Sequence, residues 1–366
     1  MSEQNRQRHH DSFWEDDHGT PGWARALAAL ILVCGLGAAI AIFVSRQSGD
    51  SKPVAKVVTV KKEAAARAKP TPVRHRQPGQ AEREQASTAE ATRPQGESSS
   101  AAFLGPDAEA SFDSMASSLN ASVGLAVESL GGGEVREFGT LREGGHAWSS
   151  IKVPILATVL KEEGESLGPE EEAWAESAIT ASDNEAAAAL FGTIEERQGG
   201  LTGASAAVGE TLHAAGSTGT EVATAPPPPG AVSTYGQTEW PVGEAARFFA
   251  ALGRCEVLGA QGTGYIESLM ENVIPEQRWG LGEGGFPPGW RVGMKGGWGP
   301  EAEADGGYLV RQSGLIEDAS GGVAVAMIAM DESGSYPAGA ADLTQIAQWL
   351  AQELNGLGPS FHSCTG

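Results

Sequence analysis

AITASDNEAAAAL, residues 178–190, places three small polar side chains, Ser182, Asp183 and Asn184, immediately before an alanine-rich run. Alanine is the strongest helix former, and Ser, Asp and Asn are the residues that best accept hydrogen bonds from the free N–H groups of a helix's first turn. The stretch therefore predicts a helix starting at about residue 184. The simplest account of the tripeptide is a helix cap. A second account makes it a loop whose polar side chains face a cleft, and the two are compatible.

Two more short patterns flank it in the sequence. Ser149-Ser150-Ile151-Lys152 puts a hydroxyl and an amine three residues apart, hence on one face of a helix, one turn from each other. A serine hydroxyl is a weak nucleophile until a neighbouring base removes its proton. A lysine can be that base when burial lowers its pKa. Such a spacing also occurs by chance, as an exposed lysine at a helix start. Lys295-Gly296-Gly297, followed by Trp298, ends a strand-like run that begins at Trp290, and it reads equally as a lysine before a glycine turn.

The elements between these patterns follow from apolar spacing. Phe112, Met115 and Leu119 recur at helical steps, predicting a helix over 107–119. Residues 122–129 alternate, meet Gly131–Gly133, and are followed by 134–138, which is a hairpin signal. From about Ser149 to Leu252 the pattern is helical, interrupted at 225–230 by APPPPG. Three strand-like runs come next, at 290–295, 308–312 and 322–329. A closing helix carries Leu343, Ile346, Trp349, Leu350 and Leu354 on one face. Strands separated by a helical block predict an α+β domain.

Taken in order, the three patterns resemble the motifs of the serine β-lactamase and penicillin-binding-protein family, closest to the class A β-lactamase type. The resemblance covers about residues 107–355. It implies an antiparallel five-stranded sheet flanked by terminal helices, with a helical lobe. It also implies roles. Ser149 would be the acylated nucleophile and Lys152 would help deprotonate it. Ser182 would lie in the proton path to the leaving nitrogen. Asn184 would bind the amide side chain of a substrate. Lys295, with Gly296 and Gly297, would meet a substrate carboxylate. The N–H groups of Ser149 and Trp298 would form an oxyanion hole. The implied substrate is a small molecule or peptide with a carboxylate, such as a β-lactam or a cell-wall peptide.

Three departures temper the activity expected. The family's Glu-x-x-Leu-Asn loop, whose glutamate activates the deacylating water, is missing from GSTGTEVATAPPPPG (216–230), which offers only Glu221. Gly296 stands where the family has Thr or Ser. The interval from Ser149 to Ser182 is shorter than usual. Weak or absent deacylation is expected, and efficient β-lactamase activity is not. The alternative function is a catalytically inactive module on the same fold that binds cell-wall peptide or a protein partner.

The rest of the 366 residues is different material. Residues 1–100 hold 14 basic and 11 acidic residues, leaving 11 basic and 36 acidic for the remainder. So acidic a body would repel phosphate, which excludes nucleic acid as a partner. Residues 26–44 carry no charge, and about 20 apolar residues cross a bilayer. We read 1–22 as a short cytoplasmic tail, 23–45 as a single transmembrane helix, 46–106 as a disordered Pro/Ala/Lys/Arg-rich linker and 107–366 as the hydrolase domain. Arg46, Lys52, Lys56, Lys61 and Lys62 follow the helix, whereas Arg6, Arg8 and Arg25 precede it, so the positive-inside rule alone would keep the body in the cytoplasm. The family resemblance, and the indifference of long domains to flanking charge, place it outside. In an exported body Cys255–Cys364 is the only internal disulfide available, and two free thiols are the alternative. No metal or organic cofactor is suggested.

Overall fold

The computed structural model describes residues 103–301 and 307–354. The readings of residues 1–22 and 23–45, and most of the linker, fall outside them. Among the described residues no helix is long and apolar enough to cross a membrane.

The chain runs through α1 (Ala108–Ala116), β1 (Ala121–Ser129) and β2 (Arg136–Gly139) to a 3-10 turn at Trp148–Ile151. The helical lobe follows, as α2 (Lys152–Glu162), α3 (Pro169–Thr180), α4 (Asn184–Gln198), α5 (Leu201–Ala214), α6 (Val242–Gly253) and α7 (Ala260–Glu271). Then come β3 (Arg291–Pro300), β4 (Tyr308–Glu317), β5 (Gly322–Asp331) and α8 (Tyr336–Glu353). All five strands form one antiparallel sheet in the order β2-β1-β5-β4-β3. This is the α+β arrangement expected from the sequence.

The central strand β5 explains why its sequence shows no polar alternation. Ala324, Ala326 and Ile328 pack into the core shared with the helical lobe. Val323, Val325, Met327 and Ala329 pack into the core under α1 and α8. A strand buried on both faces is apolar throughout. The lobe-facing positions are mostly alanine, which lets α6 approach the sheet closely. On the opposite face Phe112 of α1 is fully buried, its ring 5.4 Å from Phe138 and 5.0 Å from Trp349 of α8. The Trp349 indole donates to Ser111 Oγ at 3.0 Å, and Ser111 donates to Glu353 at 2.7 Å. The two ends of the domain are thus pinned together by aromatic packing and a short polar chain.

One sequence expectation needs correcting. Lys295, Gly296 and Gly297 do not end a strand; β3 continues through them to Pro300, paired in register with Tyr308–Glu317. Its glycines mark close approach of other elements, not a turn. β3 is the last strand in the sheet order, so one of its edges is open along the site described next.

Candidate active site

The helix predicted from AITASDNEAAAAL begins at Asn184, and Asp183 caps it, accepting from the Ala186 N–H at 2.7 Å. Ser182, one residue earlier, has φ +59. That left-handed conformation is costly for a residue with a Cβ, by about 1–3 kcal/mol, and persists only where surroundings impose it. Here two lysines do so. Lys152 Nζ donates to Ser182 O at 2.7 Å, Asp183 O at 3.1 Å, Asn184 Oδ1 at 2.8 Å and, more distantly, Ser182 Oγ at 3.4 Å. Lys295 Nζ donates to Ser182 Oγ at 2.7 Å and to Gly296 O at 3.1 Å. The tripeptide caps the helix, as the first reading expects, and the same loop is held by two lysines.

Both lysines are buried, Lys152 2 % exposed and Lys295 fully. Desolvation disfavours their charged forms. It lowers the Lys152 pKa to about 7, against a smaller opposing pull from Asp183. Lys295 is held well below the usual lysine range, first by burial and then by repulsion from Lys152. An amine that is neutral for part of the time at neutral pH is able to accept a proton.

Ser149 sits in the 3-10 turn one turn before Lys152, half-buried, and its Oγ makes no hydrogen bond among the described residues. The turn is pressed against β3. A Cβ on Gly297 would lie 2.7 Å from Ala147 O and 2.8 Å from Ser149 N, contacts real side chains do not make. A Cβ on Gly299 would lie 2.3 Å from the Trp148 ring. The backbone of β3 thus runs directly beside the Ser149 backbone at Gly297, and Lys152, Ser182, Asn184, Lys295 and Gly296 meet through hydrogen bonds, while the ring of Trp298 lies on the other face of β3 against Trp279.

Several residues that the sequence did not single out support this geometry. Trp148, immediately before Ser149, has φ +46. Its indole donates to Glu301 Oε1 at 3.1 Å. Glu301 also pairs with His146 Nδ1 at 2.5 Å, and Glu239 pairs with His146 Nε2 at 3.1 Å. Fully buried Arg311 donates to the carbonyls of Gly145 and His146, each at 3.2 Å. This frame ties the turn before Ser149 to the end of β3 and to the start of α6. Its members lie as far as 166 positions apart, and no local pattern announces them. The glycines at 297 and 299, two apart and on one face, were the available signal of close approach.

The departures from the expected motifs have structural counterparts. Glu221 stands at the surface with its side chain 88 % exposed, 3.8 Å from His213 in the last turn of α5. Among the described residues no carboxylate hydrogen-bonds to Ser149 or Lys152. At Gly296, a Cβ would lie 2.8 Å from the ring of Trp279, so indole fills the room a threonine would need. Cys255 is disulfide-bonded, and its partner lies outside the described residues.

The model of the Beta-lactamase enzyme family matches residues 171–354, half of the chain. Ser149 and Lys152 precede the matched span. No curated protein sequence matches. Among solved structures, a class A β-lactamase from Bacteroides cellulosilyticus DSM 14838 is 16% identical at a TM-score of 0.54, covering 68% of this chain and 97% of its own. The chromosome-encoded β-lactamase of Vibrio parahaemolyticus is 17% identical at 0.53, covering 68% and 99%. The structure of PBP-A is 19% identical at 0.52, covering 68% and 95%. At these identities the likeness speaks for the fold.

Proposed function

Because the chain belongs to the β-lactamase enzyme family, we propose that its folded domain is a serine hydrolase that forms an acyl-enzyme on Ser149 from an amide or ester, of β-lactam or peptide type. The observation that carries this reading is the doubly held Ser182: two buried lysines converge on one hydroxyl, and the first of them, Lys152, follows Ser149 by one turn. Neutral Lys152 takes the Ser149 proton as the hydroxyl attacks the carbonyl carbon. The N–H groups of Ser149 and Trp298 receive the developing oxyanion. Ser182, held by Lys295, passes its proton to the leaving nitrogen or oxygen and takes in exchange the one that Lys152 received from Ser149. Asn184, whose Oδ1 faces Lys152, offers its N–H groups to the substrate's amide.

Hydrolysis of the acyl-enzyme needs a base for water. With Glu221 at the surface and, among the described residues, no carboxylate bonded to Ser149 or Lys152, the acyl-enzyme deacylates slowly. Those same two facts, with Trp279 filling the space at Gly296, favour the second reading, an inactive module that binds without acylation. The reading also includes extracytoplasmic placement, with residues 23–45 as the anchor.

The test is intact-mass analysis of the full chain after incubation with a penicillin and an activated ester, beside Ser149→Ala. A stable adduct on the parent, absent from the variant, is expected. A folded parent that takes up neither reagent is the binding module.

A further inference from the structure

The face of β3 that carries Gly296 is covered by an aromatic cluster. Successive side chains of a strand point to opposite faces. A substrate laid along the open edge of β3 therefore meets Lys295 and Gly297 on one face, and Gly296 and Trp298 on the other. On the second face three rings pack together: Trp279 and Trp298 with centroids 6.1 Å apart, Trp279 and Tyr336 6.0 Å apart, Trp298 and Tyr336 5.0 Å apart. Trp279 is buried, whereas Trp298 and Tyr336 are half-buried and still present ring surface. A side chain at residue 296 would strike the Trp279 ring at 2.8 and 2.9 Å, so no hydroxyl can stand there while the indole does.

The cations that would meet a carboxylate are committed elsewhere. Lys295 is fully buried and donates to Ser182 Oγ and Gly296 O. Arg291, at the far end of β3, pairs with Glu267, Glu271 and Glu317. Arg311 of β4 is fully buried against the carbonyls of Gly145 and His146. The excess of acidic residues after position 100 adds a field that repels anions. Aromatic rings in mutual contact leave no cage between them for a cation; what they offer is apolar area.

Resting on the reading of Ser149 as an acylated nucleophile, we infer that the site selects an uncharged acyl donor, with an apolar or aromatic group lying on Trp279, Trp298 and Tyr336 where a carboxylate would otherwise bind. The leading reagents are a penicillin and its methyl ester, which share one electrophilic carbonyl and differ by the charge and a single methyl group. A fluorophosphonate probe, which carries no carboxylate and reports serine nucleophilicity alone, is run beside them on the full chain.

The expected result is an ester acylating Ser149 at least about tenfold faster than the free acid. Trp279→Ala lowers that ratio several-fold, and Trp279→Ala with Gly296→Thr brings the free acid ahead. Should the buried indole prove necessary for folding, Tyr336→Ala at the half-exposed ring lowers the ratio in the same direction. Fluorophosphonate labelling of Ser149 together with a free acid that reacts as fast as the ester overturns the inference and leaves the nucleophile standing. A folded chain labelled by none of the three reagents removes the nucleophile and the inference together.

Discussion

With Lys152 as the proposed base, its pKa sets the pH profile of the site. Burial lowers its pKa to about 7, so near neutrality a substantial fraction of molecules holds the amine unprotonated, facing the loop of Ser182. The acylation rate is therefore expected to rise as pH increases through about 7 and to level off above it. Lys152→Arg removes the option, because a guanidinium keeps its proton throughout this range. The variant should lose roughly 10²–10⁴-fold in acylation rate and the rising limb of the profile with it. Stopped-flow acylation between pH 5 and 9 reads both, and a pH-independent parent would remove Lys152 as the base. The stability sign follows from the same depression. Between about 7 and the ordinary lysine value near 10.4, the unfolded chain binds the proton that the folded chain has released, so folding stability grows with pH across that window. The cost of keeping the amine desolvated is thus heaviest below pH 7.

At the scale of elements, the site is a contact between an edge strand and a short turn, and glycine makes the contact possible. Gly297→Ala puts a methyl group 2.7 Å from Ala147 O and 2.8 Å from Ser149 N, both backbone atoms that cannot rotate aside. The turn and β3 must separate by a few tenths of an ångström or more. Because displacements near 1 Å at a reacting centre cost about 10²-fold, acylation should fall by one to two orders of magnitude. Overpacking of this kind costs about 1–3 kcal/mol, so thermal unfolding should fall by about 2–12 °C. Acylation at the parental rate in a folded G297A chain would show that β3 does not align the nucleophile. This contact also marks the limit of what the sequence reveals. β5 was legible because burial on both faces makes it continuously apolar, and α4 because capping residues precede a run of alanines. β3 was read as ending at Lys295 because glycine in quick succession is the ordinary sign of a turn. Its glycines are instead dictated by elements arriving from elsewhere in the chain. The motif residues Ser149, Lys152, Ser182, Asn184 and Lys295 were named from spacing and resemblance. Trp148, His146, Glu239, Glu301 and Arg311, which frame them, come together only through tertiary structure. Trp279 likewise explains Gly296, but the 16 residues of sequence between them give no hint that one fills the other's space.

At the scale of the molecule, the proposed anchor at residues 23–45 raises the question of which side of a membrane the domain works on. The charges flanking the apolar run 26–44 argue for the cytoplasm, with five basic residues soon after it and three before. That rule governs short loops, and domains of this length cross with little regard to flanking charge. The disulfide at Cys255 argues the other way, since such bonds persist in oxidising compartments and are rare in reducing ones. We therefore expect the full chain to sediment with membranes and to resist extraction by alkaline carbonate. A phosphatase fused after Gly366, active only after export, should be active, and a fluorescent protein that matures only in the cytoplasm should be dark at the same position. Cys255 should resist a membrane-permeant maleimide until a reductant is added. The opposite pattern, a dark phosphatase with a bright cytoplasmic reporter and a freely labelled Cys255, would put the domain inside. A serine acylated by extracellular β-lactams or cell-wall peptides would then have no access to them.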